Sequence, residues 1–393
     1  MTDIQDTVAT IADELVESGA ERGLQVAAYV DQRPVVDVAA GVADPGTGRP
    51  VRPGTLFYNW SIGKGATATL VHRLVDAGRL GYDTPVAEVW PGFARHGKGA
   101  ITVRQVLDHS AGVPGLPPDV TIGSVCSWPA MVAALEDAEP WWEPGTKVGY
   151  HAYTFGFLCG EIVRRVTGRE LGDELAELTA AVGFPGEIRY GIAPDETVDL
   201  AVLEDAPSDG DWTADLPDDL PMLRAVPRTL FPTGAFGNDP RVVEADIPAG
   251  AKVTARALAR LYAGWLGPVD GAEIVSAQRR AEATAESSSG PDQVFGNDSR
   301  WALGFALGLP WDEPGSDRSG HDASTPRSAR GGRPAPDQVS RVFGMAGAGG
   351  SWAGADPDRG VAVAVTRNVM GMDFATVERV VRAVLDAVDR QRP

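Results

Sequence analysis

The sequence predicts an α/β fold, an α+β sandwich in which an antiparallel sheet built from both chain ends carries the terminal helices and a mainly helical lobe is inserted between them. Three observations predict it. Ile4, Val8, Ile11, Ala12 and Leu15 recur at helical spacing, and two β-type runs follow, QVAAYV and PVVDVAA, split by the turn-like DQR. Residues 341–354 and Gly360 to Asn368 read as strands around the turn DPDRG, before an amphipathic helix over Phe374 to Val388. Between these two ends the chain is helix-rich. Strands at both termini assemble most economically into one sheet, so residues 1–58 and 295–393 are expected to form the sheet domain and 59–294 the inserted lobe, with an active site between them.

Within the middle, Ser61 to Ala77, Val103 to Leu107, Trp128 to Leu135, Tyr153 to Val166 and Ala255 to Trp265 have the apolar spacing of helices. Two stretches read as long loops. Asp195 to Asp219 holds ten acidic residues and no Lys or Arg, which predicts a solvated surface segment; Pro310 to Pro336 is dense in Gly, Pro, Ser, Asp and Arg. No internal repeat is evident.

A chain of 393 residues can bury a core large enough to hold a deep cleft. Its net charge of −19 disfavours nucleic acid and anionic lipid, whose fields would repel it. No apolar run reaches the roughly 18 residues of a membrane span. The opening stretch, MTDIQDTVATIADELVESG, is acidic and lacks the basic and apolar regions of a signal peptide, which predicts a cytoplasmic protein. The two cysteines, Cys126 and Cys159, form no CxxC, and the five histidines, His72, His96, His109, His151 and His321, show no metal-ligand spacing. Neither a metal nor another cofactor is implied. Lysine is scarce, four residues against thirty-one arginines, and of the two only lysine can lose its proton and act as a base.

One of the four lysines stands in Ser61-Ile62-Gly63-Lys64, at the start of a helical run that ends at Gly78. Residues three apart share a helix face, so Lys64 Nζ can reach Ser61 Oγ, while a helix N-terminus supplies N–H groups and partial positive charge. With seventeen serines and four lysines, S-x-x-K arises by chance about 0.2 times in this chain, so the pair alone is only suggestive. Two further features give it context. Tyr150-His151-Ala152 lies between the turn WEPGTKVG and a helical run, where a phenol can project into a cleft. Phe343 to Ser351 reads FGMAGAGGS, a strand whose glycines let a ligand lie against the backbone. His151, beside Tyr150, is expected to line the cleft. His109, in LDHSAG, is read as part of a structural turn. No G-x-S-x-G occurs, so the nucleophile elbow of α/β-hydrolases is absent.

The order and spacing of these features, in FYNWSIGKGATATLVHRLVDAGRLGYDTPV, ITVRQVLDHSAGVPG, GYHAYTFGFLCGEIVRRVTGREL, EADIPAGAKVTARALARLYA and GAGGSWAGADPDRGVAVAVTRN, resemble serine β-lactamases and DD-peptidases. The resemblance extends over nearly the whole chain and is strongest to the β-lactamase-like carboxylesterases called family VIII. It implies the serine β-lactamase/DD-peptidase-like fold and an acyl-enzyme, with Ser61 as nucleophile, Lys64 as general base and Tyr150 as proton relay. It also implies an oxyanion hole made by the N–H groups of Ser61 and Ala348, and substrate contacts from Met345, Ala346 and Gly347. A lysine of ordinary pKa is neutral in about one molecule in 2,500 at pH 7, so burial must lower it by roughly 3 units.

Two positions depart from the penicillin-recognising pattern. Ala152 replaces an asparagine that would meet an acylamino group, and Met345 replaces the lysine or histidine that would meet a substrate carboxylate. Both disfavour β-lactams and cell-wall peptides. Family VIII esterases share the loss of the lysine, although tryptophan or histidine is more usual there than methionine. The expected substrate is therefore a small-molecule ester or thioester, hydrolysed through the acyl-enzyme. Transfer of the acyl group to an alcohol or amine acceptor, β-lactam or DD-peptide hydrolysis, and a catalytically silent binding protein are the alternatives.

Overall fold

The computed structural model describes residues 4–207, 213–311, 341–371 and 373–392. Along the chain the strands are β1 (Gly23–Val30), β2 (Arg33–Asp44), β3 (Arg49–Pro50), β4 (Phe57–Asn59), β5 (Ile188–Arg189), β6 (Glu204–Asp205), β7 (Ala251–Val253), β8 (Ser288–Pro291), β9 (Asp298–Trp301), β10 (Ala306–Leu307), β11 (Phe343–Gly347), β12 (Ser351–Asp356), β13 (Val361–Arg367) and β14 (Val369–Met370). Nine of them form one antiparallel sheet in the order β3-β2-β1-β13-β12-β11-β10-β9-β8. The two chain ends meet at its centre, where β1 pairs with β13 from Leu24 opposite Arg367 to Val30 opposite Val361. The turn between β1 and β2 has Asp31 and Gln32 at φ of 47° and 62°, the left-handed pair that matches strand twist in a tight hairpin.

Side-chain alternation on the central strands explains the layering. Val361, Val363 and Val365 of β13, with Leu24, Val26 and Ala28 of β1, face the first helix (Ile4–Glu17) and the last (Ala375–Gln391), which meet them with Ile4, Val8, Ala12, Leu15, Val377, Val381 and Val384. Ala362 and Ala364 face the other way, into the larger core that holds the helix Ala255–Leu266. Valine suits a pleated surface, and alanine lets a helix approach it closely.

The middle folds differently from a plain insertion. The helix Ala255–Leu266 packs on β1, β12 and β13, and β8 extends the main sheet, so both lie with the sheet although the linear division places them in the lobe. The lobe proper gathers around the helix Lys64–Asp76, which is buried on nearly every face and packs against the helices Thr154–Thr167 and Leu171–Ala181. Two buried polar side chains of this helix find partners within the fold: Thr67 Oγ1 meets the Tyr190 hydroxyl at 2.8 Å, and His72 meets Tyr82 Oη at 2.7 Å and the Leu303 carbonyl at 2.9 Å.

Two readings of the loops change. Residues 341–354, expected as one strand, are β11 and β12 joined at Ala348-Gly349-Gly350, where Gly349 and Gly350 take φ of 94° and 78° and reverse the chain. The acidic stretch is partly built into the fold. Its β6 pairs in parallel with β14, Ala201 and Leu203 are buried, and Asp199, Glu204 and Glu196 pair with Arg49, Arg22 and Arg189. Most of the stretch from Pro310 to Pro336 lies outside the described residues. Among the described residues no helix is long and apolar enough to cross a membrane.

Candidate active site

Strand β4 delivers the chain to Ser61, which opens a short 3-10 turn (Ser61–Gly63) running directly into the helix Lys64–Asp76. The turn is pressed onto β7, since a Cβ on Gly63 would stand 2.6 Å from Ala251 Cβ and 2.7 Å from its nitrogen. Only glycine allows that approach. The next residue, Lys64, has no exposure to solvent, and its Nζ lies 2.9 Å from Ser61 Oγ and 2.9 Å from the Ala249 carbonyl oxygen. Burial pushes its pKa down to about 7. Here Nζ can donate to both oxygens, and a neutral amine so placed can instead turn its lone pair to the serine hydroxyl, as a general base requires.

Tyr150 closes the other side. Lys64 Nζ sits 5.0 Å over its ring, and the indole of Trp301 stacks on it at 5.3 Å with only 6° between the planes. Burial holds the phenol well above its usual pKa, and the neighbouring Ser61 hydroxyl moderates the rise. The phenol oxygen is sealed from solvent, yet among the described residues no hydrogen bond of ordinary geometry engages it, and it can turn toward Ser61 Oγ or a leaving group.

Strand β11 supplies the facing wall. Met345 is buried in a small cluster with Val148 and Trp301, against which Tyr150 and Ala306 pack, and it also faces the cleft. Gly347 runs close to the nucleophile, for a Cβ built there would be 2.7 Å from Ile62 Cγ2 and 3.6 Å from Ser61 N. Ala348 follows in the turn after β11, on the cleft wall with Ala346 and Ala152. The cleft has a volume of about 460 Å³, and Ser61, Tyr150, Met345, Gly347 and Ala348 all line it. The structure thus gathers the residues expected from three distant segments, with one exception.

That exception is His151, which does not line the cleft. Its ring is fully buried, with Nδ1 at 2.7 Å from the Gly149 carbonyl oxygen and Nε2 accepting from the Val113 N–H at 3.0 Å. Those partners fix a neutral ring, and burial lowers its pKa to about 4. Tyr150 and His151 lie in the irregular segment before the helix Thr154–Thr167, where neighbouring side chains point in different directions, so sharing a motif with Tyr150 did not bring His151 to the same surface. His109 stands in the turn, at φ of 62°, where its Nδ1 accepts from the His151 N–H at 3.2 Å.

The family model described as Beta-lactamase matches residues 8–386. The chain belongs to the Beta-lactamase family. It is 31% identical over 357 residues to the "Esterase/beta-lactamase LipL" of Mycobacterium tuberculosis, covering 88% of this chain and 77% of that protein. Among solved structures, a family VIII carboxylesterase superposes with a TM-score of 0.81 at 28% identity, over 98% of this chain and 97% of that one. A penicillin-binding protein homologue from Caulobacter crescentus gives a TM-score of 0.78 at 31% identity, over 98% of both chains. The molecule is a serine hydrolase of the β-lactamase-like kind, with esterases among its relatives.

This Beta-lactamase family member has further cleft residues that sequence reasoning missed. Tyr58, Trp60, Tyr153, Phe231, Phe295 and Trp301 make the wall strongly aromatic, and Met222 adds to it. They come from strands and loops scattered between positions 58 and 301, and nothing in their local patterns separates them from core aromatics. Two charged residues, Asp292 and Arg300, also face the cleft. Arg300 is paired with Glu286 at 2.7 Å, so its charge is already engaged.

Proposed function

We propose that the protein is a carboxylesterase working through a Ser61 acyl-enzyme. Lys64 takes the proton of Ser61 as the hydroxyl attacks the ester carbonyl, and the N–H groups of Ser61 and Ala348 receive the developing oxyanion. Tyr150 passes a proton to the departing alkoxide, and a water molecule then clears the acyl group by the reverse relay. The observation that carries this reading is the 2.9 Å contact of a fully buried lysine with a serine at the floor of an apolar cleft. Met345 supports uncharged esters over β-lactams. It stands where a cation or imidazole would receive a substrate carboxylate, and it is enclosed by Val148 and Trp301.

The test is a panel of chromogenic esters of graded acyl length, run on wild type, Ser61→Ala and Met345→His. Hydrolysis by the wild type that disappears in Ser61→Ala supports the reading; equal rates for the two would end it. Turnover of nitrocefin by the wild type would instead place β-lactams among its substrates. The aromatic walls around Ser61 also favour a second reading, acyl transfer to an organic acceptor that displaces water from them. Acyl transfer from a thioester donor to an added alcohol, faster than hydrolysis, would establish it.

A further inference from the structure

Asp292 is a buried carboxylate, 4% exposed, in the turn between β8 and β9 at the edge of the cleft, and among the described residues no cation is paired with it. Burial raises its pKa, and the hydrogen bonds it accepts oppose the rise. Oδ2 accepts from the Tyr150 N–H at 2.9 Å, while Oδ1 accepts from the N–H groups of Val294 at 2.8 Å and Phe295 at 2.9 Å. The Ser299 side chain favours the charged form of this carboxylate, and Ser299 Oγ accepts from Trp301 Nε1 at 3.1 Å. Trp301 is the indole stacked on the Tyr150 ring. The backbone of Tyr150 is therefore anchored to the carboxyl group, and the ring that backs its phenol is held by Ser299 beside it. A second tie, Gln293 N–H to the Val148 carbonyl oxygen at 3.0 Å, fastens the same turn to the segment before Tyr150.

We propose that Asp292 is a positioning residue for Tyr150, holding main chain and phenol so that the proton relay meets the leaving group. The inference rests on the esterase reading for its kinetic arm alone. A carboxylate is required because N–H donors converge on both of its oxygens. An asparagine would turn an amide NH2 toward either the Tyr150 N–H or the N–H pair of Val294 and Phe295, and a donor facing a donor pushes the backbone away.

Two readouts separate positioning from plain stability. p-Nitrophenolate leaves without a proton at neutral pH, whereas an alkoxide needs one. With ethyl butyrate, kcat/KM of Asp292→Asn, which reports acylation, is expected to fall by about tenfold or more; with p-nitrophenyl butyrate kcat/KM is expected to fall by less than about threefold. The substitution should add nothing further in a Tyr150→Phe background, and Ser299→Ala, which frees only the indole, should show a smaller loss of the same pattern. Equal losses on both esters, or additivity with Tyr150→Phe, would overturn the proposal. The second readout needs no substrate: hydrogen exchange of the peptide spanning residues 148–152 should accelerate in Asp292→Asn while exchange in the helix Ala375–Gln391 stays unchanged. If wild type and Ser61→Ala cleave neither ester, the esterase reading fails by itself, and unaltered exchange at 148–152 would still refute the role of Asp292.

Discussion

Lys64 and Lys252 show what a buried lysine does and does not signify. Burial pushes both down to a pKa of about 7, but Lys252 spends its Nζ on the carbonyl oxygens of Tyr190 and Val242. Lys64 alone faces a serine, so the contact and not the acidity marks the site. With Lys64 as base, kcat/KM should rise with pH through about 7 as the amine loses its proton, and a pH profile checks this. The phenol of Tyr150 is displaced upward, so no alkaline decline from it is expected below pH about 10, its ordinary value. Lys64→Arg keeps the charge and the reach but cannot be deprotonated, and the rate of ester hydrolysis should drop by about 10³-fold or more. Activity retained in Lys64→Arg would exclude the base role.

At the scale of elements, the nucleophile is placed by close backbone approach. The turn Ser61–Gly63 touches β7 through Gly63, and β11 reaches Ser61 through Gly347. Gly63→Ala would drive a methyl into Ala251, where backbone cannot yield; a loss of about 1–3 kcal/mol in chemical denaturation is expected, together with lowered activity. Gly347→Ala meets Ile62 Cγ2, the end of a side chain, and should cost less stability while still displacing the oxyanion loop. The helix periods were legible because a helix shows its spacing locally, and Val103–Leu107 matches its sequence range end for end. The split of β11 from β12 was not, because FGMAGAGGS gives no alternation to mark where the glycines turn.

For the whole molecule, the two termini are locked by a buried ion pair. Arg367, at the end of β13, meets Glu21 at 3.0 Å, and Thr376 from the last helix hydrogen-bonds to the same carboxylate. Arg367→Ala would strand a buried carboxylate and should destabilise the fold by about 3–5 kcal/mol in denaturant titration. Acid acts through the buried histidines. His72 and His151 are lowered to about 3 and about 4, and His109 well below its usual value, so each binds its proton more readily when the chain unfolds. Their contribution is fully present above pH about 6.5 and is lost as pH falls through about 4 and then 3, His151 alone accounting for on the order of 3 kcal/mol. A stability curve flat across this window would contradict that assignment. By itself the sequence determined the sheet of two chain ends and the apolar position at Met345, since periodicity and residue type are written along the chain, while Ser61, Lys64 and Tyr150 were singled out by the resemblance to a known family. Tertiary structure alone decided that His151 turns into the core, that Trp301 backs Tyr150, and that Asp292 bonds to the Tyr150 backbone, because a side chain's direction and its distant partners depend on how segments far apart in sequence come to pack.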